Sequence, residues 1–77
     1  MEEVFNKIND VLGGTAVYEG TSYSNDAFYF TYSSNRYTLG IFGDFAILTN
    51  ISKQDYCRFV TANLTSEIAE AIKRWQA

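Results

Sequence analysis

The stretch "AFYFTYSSNRYTLGIFGDFAILT", residues 27–49, decides the fold of this chain. It is rich in aromatic and β-branched residues, which favour β-strands, and it contains two turn signals. Gly43 stands at the first central position of a type II′ hairpin turn and places Phe42 opposite Phe45. The second and weaker signal is Ser34-Asn35, which we take as the two residues of the preceding turn. The stretch therefore predicts three consecutive antiparallel strands.

The residues of these strands divide into two faces, because successive side chains of a strand point to opposite sides of the sheet. Face one consists of Phe28, Phe30, Tyr32, Tyr37, Leu39, Ile41, Ala46 and Leu48. Face two consists of Tyr29, Thr31, Thr38, Gly40, Phe42, Phe45, Ile47 and Thr49. A turn at Ser34-Asn35 also sets Tyr29 opposite Gly40, where an aromatic ring compensates for the missing side chain. We expect helices to cover face one, so that its aromatic residues form the core.

The segments before and after this stretch predict further regular elements. Residues 2–12 carry one apolar stripe at helical spacing and predict a helix. The helix is expected to end at Gly13-Gly14, because glycine adopts the left-handed conformation at little cost. Residues 15–19 predict a short strand, and residues 65–76 predict an amphipathic helix.

The segment 51–64 fits two structures. Its Tyr, Cys, Phe, Val and Thr residues favour a strand, whereas Ser52 and Asp55 have the spacing of a helix capping box. We favour the helix, and a strand within residues 53–62 stays open. The prediction is an α+β fold in a single domain, residues 1–77. A four-stranded antiparallel meander follows an N-terminal helix and precedes one or two C-terminal helices, in the order α-β-β-β-β-α-α or, as the alternative, α-β-β-β-β-β-α.

The composition argues against an enzyme and against a metal site. The chain has 77 residues, no histidine, no proline and one cysteine, Cys57. A lone cysteine forms no internal disulfide, and without histidine it builds no ordinary zinc site. Asp44 and Asp55 are expected to act as a turn former and a helix cap, and Cys57 has no histidine as a partner base. We expect no catalytic residue, no cofactor and no metal, although a polar cleft around Cys57 or Asp55 would revive an enzyme or a ligand carrier.

Charge and hydropathy indicate the compartment and the class of partner. The net charge is −3, and the six Lys and Arg residues are scattered, which disfavours a general nucleic-acid binder. Met1-Glu2-Glu3 is acidic where a signal peptide is basic, and no apolar run reaches the ~20 residues of a membrane span. We therefore expect a cytoplasmic protein without a membrane partner.

Tyrosine is the positive signal for function. The chain has six tyrosines, more than a core needs, because each buried hydroxyl requires a hydrogen-bond partner. Tyrosine is also enriched at interaction hot spots. We therefore predict a partner-binding surface on face two, and its candidate residues are Tyr29, Thr38, Phe42, Phe45 and Ile47. The partner is expected to be another protein, either a host protein or a second copy of the chain. The alternatives are that the first helix covers face two, or that it is an ordinary exposed sheet.

In size and composition the chain is similar to small phage or mobile-element proteins that inhibit host machinery, such as anti-CRISPR and other anti-defence proteins. This resemblance implies a non-enzymatic inhibitor acting in the host cytosol. One alternative is a single-stranded nucleic-acid binder that stacks bases on face two, with Arg36 and Lys53 as the cations near the sheet edge. Another alternative is a small homodimeric structural protein.

Overall fold

The computed structural model describes residues 2–60 and 64–76. It has the α+β architecture that the sequence predicts, with five strands in one antiparallel sheet and a helix at each end. In chain order the elements are α1 (Glu2–Val11), β1 (Val17–Thr21), β2 (Ala27–Tyr32), β3 (Asn35–Phe42), β4 (Phe45–Asn50), β5 (Asp55–Val60) and α2 (Leu64–Gln76). The favoured prediction of four strands was one strand short, and the described residues follow the alternative order, α-β-β-β-β-β-α, with one C-terminal helix.

Helix α1 ends where the sequence predicts. Gly13 and Gly14 both have positive φ angles, of 95° and 83°, and the Gly14 amide donates to the Asn9 carbonyl at 2.8 Å. This is the glycine-terminated helix end that satisfies carbonyls of the last turn. The Asn9 side chain then accepts a hydrogen bond from the Ala16 amide at 2.9 Å. The end of α1 is thereby tied to the chain entering β1.

The sheet is a meander in which every strand pairs with its neighbours in sequence, in the order β1-β2-β3-β4-β5. The predicted register between β3 and β4 is confirmed: Phe42 lies opposite Phe45, and Thr38 lies opposite Thr49. Gly43 has a φ of +67° and Asp44 has no positive φ, as a type II′ turn requires.

The predicted register between β2 and β3 was wrong by two residues. The turn residues are Ser33 and Ser34, with φ angles of 51° and 68°, so the turn resembles type I′. Tyr32 therefore pairs with Asn35, and Tyr29 pairs with Thr38 rather than with Gly40. A shift of two residues leaves every side chain on its predicted face, because the period of a strand is two.

The segment favoured as a helix is strand β5 over Asp55–Val60, and the remainder of that prediction, residues 61–63, lies outside the described residues. The presumed capping residues have other roles. The Ser52 hydroxyl accepts from the Arg36 amide at 3.0 Å, and the Asp55 carboxylate accepts from the Trp75 indole N–H at 3.2 Å. Pairing of β5 along the whole of β4 satisfies backbone groups that would otherwise form an open edge, and this tertiary gain outweighs the local helix signal.

Both helices pack on face one. The buried cluster joins Phe5 and Ile8 of α1 and Ile68 and Ile72 of α2 to face-one side chains of the sheet. Those buried side chains are Phe28, Phe30, Tyr37, Leu39, Ala46 and Leu48. The core is therefore a single layer between the sheet and two helices.

Tyr37 lies at the centre of this layer and is fully buried. Its ring stacks on Phe30 at 5.1 Å between centroids, and its hydroxyl accepts a hydrogen bond from the Gln76 amide at 3.1 Å. Burial raises the pKa of the Tyr37 phenol above its ordinary value, the Gln76 hydrogen bond lowers it, and nearby Tyr32 raises it. The last turn of α2 is thus joined to the middle of the sheet.

Candidate partner-binding face

Face two extends across all five strands, because β1 and β5 add side chains to those that the sequence assigned to it. Paired residues share a face, so the register adds Val17, Ala27, Arg36, Tyr56, Arg58 and Val60. Glu19 lies at the register shift of β1 and joins this face through its hydrogen bonds with Thr31 and Arg36. In the described part of the chain neither helix packs on this side of the sheet. The alternative in which α1 covers face two is therefore wrong.

The five predicted site residues all lie on face two and are close to one another. Tyr29 pairs with Thr38, Phe42 pairs with Phe45, and Ile47 pairs with Gly40 between these two pairs. Phe42 is 41% exposed, and the other four are half-buried. The structure thus brings the predicted residues together, and the opposite face accounts for the core without them.

A row of four residues crosses face two from β2 to β5. In this row Tyr29, Thr38, Thr49 and Tyr56 pair in succession, so two threonines separate two tyrosines. The Thr38 hydroxyl donates to the Phe28 carbonyl at 3.1 Å, which leaves its methyl group as a surface contact. Tyr56 is 66% exposed. Such a row offers aromatic and methyl surface together with tyrosine hydroxyls that can bond to a partner.

Beside this row, three side chains form a continuous stack. The rings of Phe42 and Phe45 are parallel to within 30°, with centroids 5.5 Å apart. The guanidinium of Arg58 lies over the ring of Phe45, with its central carbon 4.5 Å from the ring centroid. A cation–π contact of this kind contributes about 0.5–1 kcal/mol at an exposed site.

A hollow of about 200 Å³ lies at the centre of face two. It exists because Gly40 has no side chain and Ala27, its partner on β2, has a small one. The residues that line it are Ala27, Thr38, Gly40, Phe42, Ile47 and Thr49. A Cβ built on Gly40 would stand 2.6 Å from the Phe42 ring, so this ring provides the aromatic cover that the sequence assigned to Tyr29.

The sequence analysis missed the three members of face two that β5 supplies: Tyr56, Arg58 and Val60. The signal was the alternation of these residues with Cys57 and Phe59, which has the period of a strand. It was overlooked because the segment was assigned to a helix. Of the two candidate cations, Arg36 lies on face two, with its guanidinium carbon 5.8 Å from the centroid of the Tyr29 ring, and both cations already have partners within the fold. The Arg36 Nε donates to Glu19 at 3.1 Å, and the Lys53 ammonium donates to the Trp75 carbonyl.

The remaining chemically active side chains do not converge. Cys57 pairs with Leu48 on face one and is half-buried, and Asp55 is bonded to Trp75. Asp44 is exposed in the turn between β3 and β4. Within residues 2–60 and 64–76, no group of three or more Cys, Asp or Glu side chains is arranged to hold a metal ion. Over the same residues, no helix has the length and apolar character needed to cross a membrane.

No protein-family model, curated protein or solved structure matches this chain. The geometry of face two is therefore the observation from which the function has to be inferred.

Proposed function

We propose that the chain is a non-enzymatic protein-binding module whose partner binds on face two. One observation carries this proposal: both helices lie on face one, while four aromatic side chains stand on the side that they leave uncovered. Those four are Tyr29, Phe42, Phe45 and Tyr56. Contiguous apolar surface rimmed by polar groups is typical of protein interaction sites.

The composition supports a particular kind of module. A small acidic chain without histidine, with the general character of phage and mobile-element inhibitors, fits an inhibitor of a host protein in the host cytosol. Inhibition then needs no chemistry, because a bound module blocks the surface that it occupies. Whether the target belongs to a CRISPR system or to other host machinery rests on this resemblance and not on the geometry of face two.

A matched pair of tyrosine variants tests the proposal. Tyr56 and Tyr23 are both exposed, at 66% and 105%, but only Tyr56 lies on face two. Tyr23 lies in the loop between β1 and β2. Protein captured from the source cell by the wild type is purified and titrated against both variants. We expect Tyr56→Ser to weaken binding about tenfold or more, as at an interface hot spot, and Tyr23→Ser to leave it unchanged.

Phe42→Ser provides a second variant on face two, because its ring is 41% exposed and its loss leaves the core on face one intact. Circular dichroism and urea unfolding establish that each variant is folded. If a partner bound equally well to wild type, Tyr56→Ser and Phe42→Ser, the proposal would be refuted.

Single-stranded nucleic acid is the second candidate ligand, and the stack of Phe42, Phe45 and Arg58 favours it, since bases stack on aromatic and guanidinium planes. The net charge of −3 opposes it, because a strand of phosphates approaches an acidic molecule against repulsion. Fluorescence polarisation of a labelled oligothymidylate of 12 nucleotides, measured at low salt, tests whether the protein binds nucleic acid. Saturable binding that is lost in Phe45→Ser would show that face two binds nucleic acid, and the proposal of a protein partner would be withdrawn.

A second copy of the chain is the third candidate. Face two carries Arg36 and Arg58 and, among the described residues, the single carboxylate of Glu19. Two copies docked by this face would bring like charges together, which disfavours a stable dimer. Light scattering across a concentration series tests this expectation. A dimer that Phe42→Ser dissociates would make the second copy the partner.

A further inference from the structure

We propose that the partner's contact segment combines two chemical features: an apolar side chain that fills the hollow at Gly40 and a carboxylate that pairs with Arg58. This inference rests on the proposed function, because it names the chemistry of the partner of face two. Three observations carry it: the shape of the hollow, the free hydrogen-bonding capacity of Arg58, and the distribution of charge over the molecule.

The hollow is suited to an apolar anchor. Its volume of about 200 Å³ exceeds that of one aliphatic side chain, and its walls are the Phe42 ring, the Ile47 side chain and the methyl groups of Ala27, Thr38 and Thr49. The Thr38 hydroxyl is already bonded to a backbone carbonyl. A polar group entering the hollow would lose water without gaining a matched partner, whereas an aliphatic or aromatic group would gain from leaving water.

Arg58 is suited to a carboxylate. Its guanidinium carbon lies 4.5 Å from the centroid of Phe45, and among the described residues the side chain makes no ion pair and no hydrogen bond. The N–H groups of a guanidinium form a planar fork that matches the two oxygens of a carboxylate. A shallow depression of about 400 Å³, bordered by Asp44, Phe45, Arg58, Phe59 and Val60, gives access to it. Asp44 in the adjoining turn borders this depression, and Glu67 and Glu70 of α2 border a second depression that Arg58 also lines.

Arg36 on the same face is the contrasting case. Its Nε donates to Glu19 at 3.1 Å, and Glu19 also accepts from the Thr31 hydroxyl at 2.9 Å. The charge of Arg36 is thus already compensated within the fold. Arg58 therefore provides the unpaired positive charge of face two, and Arg36 provides a control on the same surface.

Charge is unevenly distributed over the chain. Of nine Asp and Glu residues, face two holds only Glu19 among the described positions, although the chain as a whole carries a net charge of −3. The surface with the fewest acidic groups is thus the one with the exposed aromatics and the unpaired arginine. Complementary charge then favours an acidic partner at this surface and repels one elsewhere.

The register sets the distance between the two features. Gly40 pairs with Ile47, and Ile47 pairs with Arg58, so the backbone positions of Gly40 and Arg58 lie in one row two strands apart. Adjacent strands are separated by about 4.8 Å, which gives roughly 10 Å between the two backbone positions. An extended segment covers roughly 3.3 Å per residue, so the apolar and acidic residues are expected about three positions apart.

A displayed library of random twelve-residue peptides tests the inference. The library is selected on wild-type protein after depletion on Phe42→Ser, so that peptides bound to other surfaces are removed. We expect the selected peptides to be enriched in Asp or Glu about three positions from Leu, Ile, Phe or Trp. The tightest peptide is then synthesised together with a counterpart in which Asp or Glu becomes Asn or Gln, and both are titrated by fluorescence anisotropy.

Removal of the charge from either partner is expected to weaken binding about tenfold or more, because a charged hydrogen-bonded pair is broken. Arg58→Gln should therefore bind the acidic peptide and its amide counterpart about equally, whereas Arg36→Gln should retain the preference of the wild type. To test the hollow, Ala27→Val fills it from β2, and Gly40→Ala displaces the Phe42 ring that forms one of its walls, because a Cβ at position 40 would stand 2.6 Å from that ring. Both variants should weaken peptide binding, and if one of them does not fold, the other still tests the hollow.

The outcomes separate this inference from the proposed function. Peptides that need Phe42 but show no acidic preference, or whose binding Arg58→Gln leaves intact, overturn the inference and leave the binding function standing. A library without any peptide that distinguishes wild type from Phe42→Ser overturns both. Loss of labelled oligothymidylate binding in Arg58→Gln, with no acidic peptide selected, assigns the arginine to phosphate and overturns the inference as well.

Discussion

The turn between β2 and β3 provides the sharpest test of the described register. Ser33 and Ser34 have φ angles of 51° and 68°, a left-handed conformation that serine adopts with strain. Asn-Gly is the preferred pair for this type of turn. The double substitution Ser33→Asn and Ser34→Gly should therefore stabilise the protein, although it adds no contact.

The magnitude follows from the backbone conformation. An L-residue other than Gly or Asn pays about 1–2 kcal/mol to occupy the left-handed region. Glycine at position 34 removes this cost from the folded state. It also stabilises the unfolded state by about 0.4–1 kcal/mol, because glycine increases the conformational entropy of the unfolded chain. Asparagine at position 33 adds a few tenths, since its side chain tolerates left-handed φ. The net gain should be about 1 kcal/mol, which corresponds to a rise in Tm of about 4–8 °C for a domain of this size.

Urea unfolding followed by circular dichroism measures the change, and Asn35→Gly is the control. In the described register Asn35 is a strand residue opposite Tyr32, and its side chain donates to the Ser33 carbonyl at 3.2 Å. Asn35→Gly should therefore lower stability by about 0.5–1 kcal/mol. With a turn at Ser34-Asn35 instead, the signs would differ: Asn35→Gly would stabilise and Ser33→Asn would not. That pattern would refute the register.

Three further predictions concern the core and its polar groups. The folded-state pKa of Tyr37 lies above the unfolded value of 10.0. Its contribution to stability is therefore complete below pH 10 and is lost as the pH rises through the folded-state pKa. Unfolding measured at a series of alkaline pH values should show a steeper loss of stability for wild type than for Tyr37→Phe. Asn50 is fully buried and accepts from the Lys53 amide at 2.9 Å, so Asn50→Ala should cost about 1–3 kcal/mol in urea unfolding, and a cost below 0.5 would contradict this account. Ile72→Val in the core should cost about 0.5–1.5 kcal/mol, whereas Val17→Ala, at a position 60% exposed, should stay within about 0.5 kcal/mol in the same assay.

The two helices and the division of the central strands into faces were predictable from local pattern. The apolar stripe of α1, its glycine end and the turn at Gly43 are short-range signals that agree with the final fold. The face assignment survived a wrong register because the error was an even number of residues. A sequence pattern of period two therefore predicts the face of the sheet on which a residue lies more reliably than it predicts the residue with which it pairs.

Strand β5 was not predictable with the same security, because its residues satisfy two local patterns. Ser52 and Asp55 have capping spacing, but the hydroxyl of Ser52 is taken by the Arg36 amide and the carboxylate of Asp55 by the Trp75 indole. Both donors, the Arg36 amide and the Trp75 indole, are distant in sequence from the residue they bond, so no local pattern contains them. The same error removed Arg58 and Tyr56 from the predicted binding face, which shows how an element assignment propagates into the choice of site residues.

The meander order of the sheet also has a consequence for how the chain folds. Every strand pairs only with its sequence neighbours, so each hairpin closes a short loop. A hairpin that has formed lowers the entropic cost of the next pairing. The contact between α1 and α2 joins the two ends of the chain. The sheet can therefore grow hairpin by hairpin, with the helix contact closing last. Because the chain has no proline, no slow isomerisation phase is expected, and stopped-flow refolding should follow a single exponential.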